Sequence, residues 1–123
     1  MKNIYLIIIC LSLVGCSLIP SKWDSNEAKA ITDIQLSTRY FDCNNVSVEL
    51  NQLQKQIEWF QLYSKFKGSN DIVELFKEIS STVSQFKERS SNGHISPMYC
   101  DLKKKILIQQ ADITAKAIQG RFQ

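Results

Sequence analysis

The 123-residue chain has little glycine and proline, with four and two residues. That scarcity excludes collagen-like, proline-rich and low-complexity architectures, and it leaves few breakers for long helices. Histidine occurs once, as His94, in a glycine-containing stretch. No serine or cysteine nucleophile lies near it in sequence, so His94 reads as an exposed loop residue. One histidine and widely spaced thiols do not supply the four ligands of a zinc site. Charge of one sign is also missing: 15 Lys and Arg face 12 Asp and Glu, a net of +3. No basic stripe is interleaved with aromatics, which argues against nucleic acid as a partner. No run of about twenty apolar residues is present, so a membrane-spanning helix is not expected. These absences indicate no enzyme, no metal and no cofactor.

The N-terminus carries the most specific signal. After Met1-Lys2-Asn3 the chain is apolar from Ile4 to Val14, the dimensions of a signal-peptide core. The run ends on Leu13-Val14-Gly15-Cys16, which resembles a bacterial lipobox. The resemblance implies a diacylglycerol group on the Cys16 sulfur, cleavage between Gly15 and Cys16, and a fatty acyl group such as palmitate on the new amino end. An ordinary secretory cleavage site beside an incidental cysteine is the alternative. One acyl chain anchors only marginally, whereas several on one residue hold stably. Ser17 follows where, in enteric-type lipoproteins, an aspartate favours inner-membrane retention. The resemblance therefore implies the outer membrane, with the domain facing the periplasm. The expected organisation is a signal peptide over 1–15, a lipidated tether over 16–24 and a helical periplasmic domain over 25–123. Trp23 in the tether sits at the lipid interface or packs on the first helix.

The exported reading changes the cysteine count. Cys10 leaves with the signal and Cys16 carries lipid, so Cys43 and Cys100 remain. Two leftover thiols in an exported chain usually pair. The alternatives are an intermolecular bridge or two free thiols. The loop that an intramolecular bond closes is long, for which chain entropy gives about 4 kcal/mol as an upper figure.

Apolar periodicity predicts four helices. The first runs from Ser25 to Phe41, capped by Asp24 or Ser25, with Ala28, Ile31, Ile34 and the Tyr40-Phe41 pair near one face. The second runs from Val46 to Phe66, with Val46, Leu50, Leu53, Ile57 and Phe60 in one stripe that Tyr63 and Phe66 extend. The third follows the Ser69-Asn70-Asp71 cap, carries Ile72, Leu75, Phe76, Ile79, Val83 and Phe86 as its stripe, and dissolves from Glu88 onward. The fourth starts at Ser96-Pro97, a cap and then a proline in the first turn. Its main line is Leu102, Ile106, Ile113 and Ala117, with Leu107, Ala111 and Ile118 beside it, and Gly120 ends it. The fold class is all-α: a small four-helix bundle closed by one disulfide, Cys43 to Cys100.

Acid-base chemistry finds no foothold, since Glu74 and Glu78 share a face with Lys77 and read as a solvated, ion-paired surface. Lys103-Lys104-Lys105 reads as the polar face of the fourth helix, or as a contact for anionic headgroups or an acidic partner. Trp59 lies about 100° around the helix from Phe60, so the aromatic cluster does not all point inward. Trp59, Tyr63 and Phe66 are the candidate partner groove, of the helix-in-groove kind.

The lipobox, the STRYFDC stretch ending at Cys43 and the SPMYC stretch ending at Cys100 resemble the type II secretion pilotins. The EWFQLYSKFKGSND stretch lies outside the resemblance. It implies a non-enzymatic outer-membrane lipoprotein that binds a short C-terminal segment of a secretin and assists its assembly. The alternative class is a phage or mobile-element lipoprotein, acting on a receptor in superinfection exclusion or on a lysis subunit as an outer spanin. Two prolines in the whole chain argue against the spanin form.

Overall fold

The computed structural model describes residues 21–122. The lipobox residues Gly15 and Cys16, and the tether up to residue 20, lie outside the described residues. Four α-helices follow one another: α1 Ser25–Arg39, α2 Val46–Lys67, α3 Asn70–Ser91 and α4 Pro97–Gln119. A short 3-10 helix, Gly120–Phe122, closes the described chain. No strand occurs among the described residues.

Local chemistry sets each boundary. Asp24, not Ser25, caps α1: its carboxylate accepts the N–H groups of Asn26 and Glu27, both at 3.0 Å. That satisfies two of the donors every helix start leaves open. α1 stops at Arg39, two residues short of the expected Phe41. The stop lets Phe41 turn inward onto Phe86, with ring centroids 5.6 Å apart, while Tyr40 stays in solvent. In the following loop Asp42 accepts from Asn44 N–H at 2.9 Å and from the Asn45 side chain at 2.8 Å. Gly68 ends α2 at φ 77°, a left-handed conformation that side chains disfavour. Ser69 N–H then reaches back to the Ser64 carbonyl at 2.8 Å, so α3 starts almost at once. The Ser96 hydroxyl caps α4 through Tyr99 N–H at 3.2 Å.

The helices form an antiparallel ring in which α1 packs on α2 and α4, and α3 packs on α2 and α4. Cross-helix pairs show the directions. Asn26 on α1 meets Tyr63 on α2, Lys87 on α3 meets Gln54 on α2, and Gln35 on α1 meets Asp112 on α4. One pole therefore holds the start of α1, the α2–α3 turn and the end of α4. The other holds the disulfide. Cys43 and Cys100 are bonded, with Cα atoms 6.0 Å apart, and tie the α1–α2 loop to the first turn of α4.

The core is Ile31, Ile34, Phe41, Leu50, Leu53, Ile57, Phe60, Ile72, Phe76, Ile79, Phe86, Leu107 and Ile118, with the smaller Val83, Cys100, Ala111 and Ala115 between. Phe60 stacks on Phe76 at 4.2 Å between centroids. Each such side chain contributes about 1.5–3 kcal/mol by leaving water.

Three expected patterns are corrected. The α2 stripe continues from Phe60 to buried Ser64, whereas Tyr63 is half-buried and Phe66 is exposed. Stepping from Phe60 to Ser64 holds the same face, while Phe66 falls on the far flank. α3 does not dissolve at Glu88 but runs to Ser91. On α4 the buried line is Cys100, Leu107, Ala111, Thr114, Ala115 and Ile118. The line expected first, through Leu102, Ile106, Ile113 and Ala117, lies about 120° around the helix. Leu102, Ile113 and Ala117 are exposed. Ala111 and Ala115 are small enough to let the neighbouring helices close on α4, and the bond at Cys100 holds that face inward.

Candidate functional site

α1 and α2 do not close against each other along their outer edge. They leave a groove of about 420 Å³ lined by Asn26, Lys29, Ala30 and Asp33 from α1 and Lys55, Gln56 and Trp59 from α2. The α1 wall is low because Ala30 stands where a larger side chain would fill the gap. The charged side chains line the rim, where Lys29 and Asp33 pair at 2.6 Å across one turn. Trp59 is the large apolar group of the groove and is 51% exposed.

Trp59 is held in place from behind. Its ring stacks on Tyr63, centroids 5.1 Å apart and planes 6° from parallel. The Tyr63 hydroxyl accepts from the Asn26 amide at 2.9 Å and donates to Asp24 at 3.4 Å. Asp24 in turn pairs with Lys67 at 2.9 Å. Burial opposes ionisation of both partners, but their mutual hydrogen bond and charge prevail. The Asp24 carboxyl lies below its ordinary value and the Lys67 ammonium above. The indole is therefore presented on a fixed support, which lowers the ordering cost of any contact it makes.

Of the three residues expected to form a partner groove, the structure places one in it. Trp59 lines the groove and Tyr63 supports Trp59. Phe66 stands at the end of α2, 90% exposed, and Leu62 beside it is 69% exposed. Cys43 and Cys100 sit at the opposite pole. Cys16 and Gly15 lie outside the described residues. His94 is exposed in the loop before α4. Glu74 pairs with Lys77 at 2.7 Å on the surface. The three consecutive lysines are each engaged: Lys103 lies over the Tyr99 ring at 5.7 Å, Lys104 donates to the Phe41 carbonyl at 2.8 Å, and Lys105 pairs with Asp101 at 2.8 Å. They serve the bundle locally. Among the described residues no group of three or more His, Cys, Asp or Glu is placed to hold a metal ion.

Sequence reasoning missed one cluster. Arg121, beyond the end of α4, has a side chain only 6% exposed that reaches both Glu27, fully buried, at 3.4 Å and Asp71. Ser21 joins them, donating its hydroxyl to Asp71 at 2.7 Å and its N–H at 3.3 Å. The Asp71 carboxyl sits below its ordinary value: burial raises it, but Ser21 and the Arg121 guanidinium outweigh that. The cluster locks both ends of the described chain to one pole of the bundle. Its only sequence signal is a glutamate in an otherwise apolar register of α1.

Comparison with protein-family models, curated proteins and solved structures gives no match.

Proposed function

We propose that this chain is a non-enzymatic lipoprotein of the bacterial outer membrane, anchored through Cys16, whose α1–α2 groove binds a short apolar segment of an envelope protein. The observation that carries the binding role is Trp59: a half-exposed indole at the mouth of a concave groove, stacked on Tyr63 and tied through it to Asn26 and Asp24. Aromatic anchors in such settings supply most of the energy of small interfaces. The low wall at Ala30 leaves space for an apolar side chain of the partner, and the Lys29–Asp33 and Lys55 rim supplies polar contacts. This is the behaviour of an assembly factor of the pilotin kind, with a multimeric outer-membrane protein such as a secretin as partner.

Site-specific photocrosslinking in cells tests the proposal. A photoreactive residue at Gln56, inside the groove, is expected to capture one outer-membrane multimer, and the same residue at exposed Ile113 on α4 to capture none. Trp59→Ala weakens that capture, by about 2 kcal/mol in affinity if the indole is an anchor. Cys16→Ala moves the protein out of the membrane fraction. Equal capture from both positions overturns the groove, and a Cys16→Ala protein that stays in the membrane through an alkaline carbonate wash, which strips peripheral contacts, overturns the anchor. Capture of a receptor porin or an inner-membrane lysis subunit would transfer the protein to the phage class.

A further inference from the structure

We infer that the pole of the bundle bearing Phe66, Leu62 and Lys65 seats directly on a membrane surface rich in anionic lipid headgroups, so that the folded domain and not only its tether contacts the bilayer. The inference rests on the proposed anchoring at Cys16.

Three observations converge on that occupant. The first is where the chain enters. Ser21 is bonded to Asp71 at the α2–α3 pole, and Cys16 lies five residues before it. Fully extended, that stretch spans about 18 Å. A lipid on Cys16 therefore holds this pole, and not the disulfide pole, against the bilayer.

The second is shape. Leu62 and Phe66 project from the outer flank of α2 at its C-terminal end, 69% and 90% exposed, opposite the stripe that faces the core. They do not line the α1–α2 groove. A protein partner anchors its contacts in concave, well-packed pockets. A phenylalanine 90% exposed at a helix end matches the soft boundary between headgroups and acyl chains, where amphipathic helices bury their apolar flank.

The third is charge. The acidic side chains of this pole are already engaged, Asp24 with Lys67 and both Glu27 and Asp71 with Arg121. Lys22 and Lys65 have no carboxylate partner among the described residues and are exposed. Lysines next to a membrane-held segment are attracted to anionic lipid. Their stems lie along apolar surface while their ammonium groups reach the phosphates. No helix among the described residues is long and apolar enough to cross a membrane, so the contact is a seat and not a span.

The experiment uses the full processed protein, extracted from membranes and reconstituted into vesicles of phosphatidylethanolamine and phosphatidylglycerol. The chain has two tryptophans, Trp23 and Trp59. Both are replaced by phenylalanine, and one reporter is introduced at a time: Phe66→Trp at the proposed seat, or Met98→Trp at the exposed start of α4. Co-sedimentation confirms that each variant is anchored. Phe66→Trp is expected to lose most of its emission to brominated acyl chains, and Met98→Trp to keep it. Adding Lys22→Glu and Lys65→Glu is expected to restore much of the lost emission. If both variants sediment with vesicles but Phe66→Trp is quenched no more than Met98→Trp, the seat is overturned and the anchor stands. A blue-shifted yet unquenched Phe66→Trp means that a second copy of the chain covers the patch, which also overturns the seat. If the protein does not sediment at all, the anchor fails and the seat with it.

Discussion

Arg121 folds back from beyond the end of α4 to the buried start of α1. Its guanidinium is the ion partner that fully buried Glu27 has among the described residues. Removing one partner of a buried pair leaves an uncompensated charge, which costs about 3–5 kcal/mol. Arg121→Met is therefore expected to lower stability in urea by that amount at neutral pH. The Arg121→Met, Glu27→Gln double variant is expected to recover part of it, and a double variant as unstable as the single one would show that the pair is not the cause. The same pole makes stability depend on acid. Asp24 and Asp71 both have carboxyls below the ordinary 3.8. A carboxyl depressed in the folded state stabilises the fold above its unfolded pKa and loses that contribution as pH falls through the folded one. The urea midpoint is expected to drop below about pH 4, and Asp71→Asn to flatten that drop while lowering stability at neutral pH.

At the scale of elements, the caps and turns follow from residue chemistry read in order. Asp24, Ser96-Pro97 and Gly68 begin or end helices for local reasons, and α2 begins at Val46 as its stripe predicts. α4 is different because two of its faces are equally apolar in sequence. Leu102, Ile106 and Ile113 make one line, and Cys100, Leu107, Ala111 and Ile118 make another. Hydrophobicity alone does not choose between them. The choice falls to alanine size and to the bond at Cys100, both of which act only when the neighbouring helices are present. Leu107→Ala is expected to cost about 2–5 kcal/mol, as core truncations do. Leu102→Ala, at a side chain 54% exposed, is expected to stay within about 0.5 kcal/mol. Thermal melts of the two variants distinguish the lines, and the reverse ranking would mean that α4 is rotated. The α2 stripe meets the same limit at its end. Beyond Phe60 the core continues through Ser64, which no hydrophobic pattern marks, while the apolar pattern continues through Tyr63 and Phe66.

At the scale of the molecule, the bond between Cys43 and Cys100 closes a loop across a sequence separation of 57. It joins one pole of the ring, while the Ser21–Asp71–Arg121–Glu27 cluster joins the other. Chain entropy puts the value of such a bond at about 4 kcal/mol, an upper figure because a denatured chain retains some structure. Cys43→Ser and Cys100→Ser are each expected to lower the melting temperature by similar amounts, and the double variant to lower it little further. Additive losses would contradict a shared bond.

The helical class, the number of helices and most of their ends are legible in the chain, whereas the pairing of Cys43 with Cys100 is one of three arrangements that the sequence leaves open and the structure closes. The helical properties depend on spacing, caps and composition within a few turns of chain. Packing between helices selects the buried face of α4, brings Trp59 and not Phe66 to a groove, and returns Arg121 to Glu27. Each of these depends on which helix lies next to which and how closely. Helix rotation and the placement of a terminal side chain are settled by packing and by partners distant in sequence, and a periodic pattern along a single chain does not carry that information.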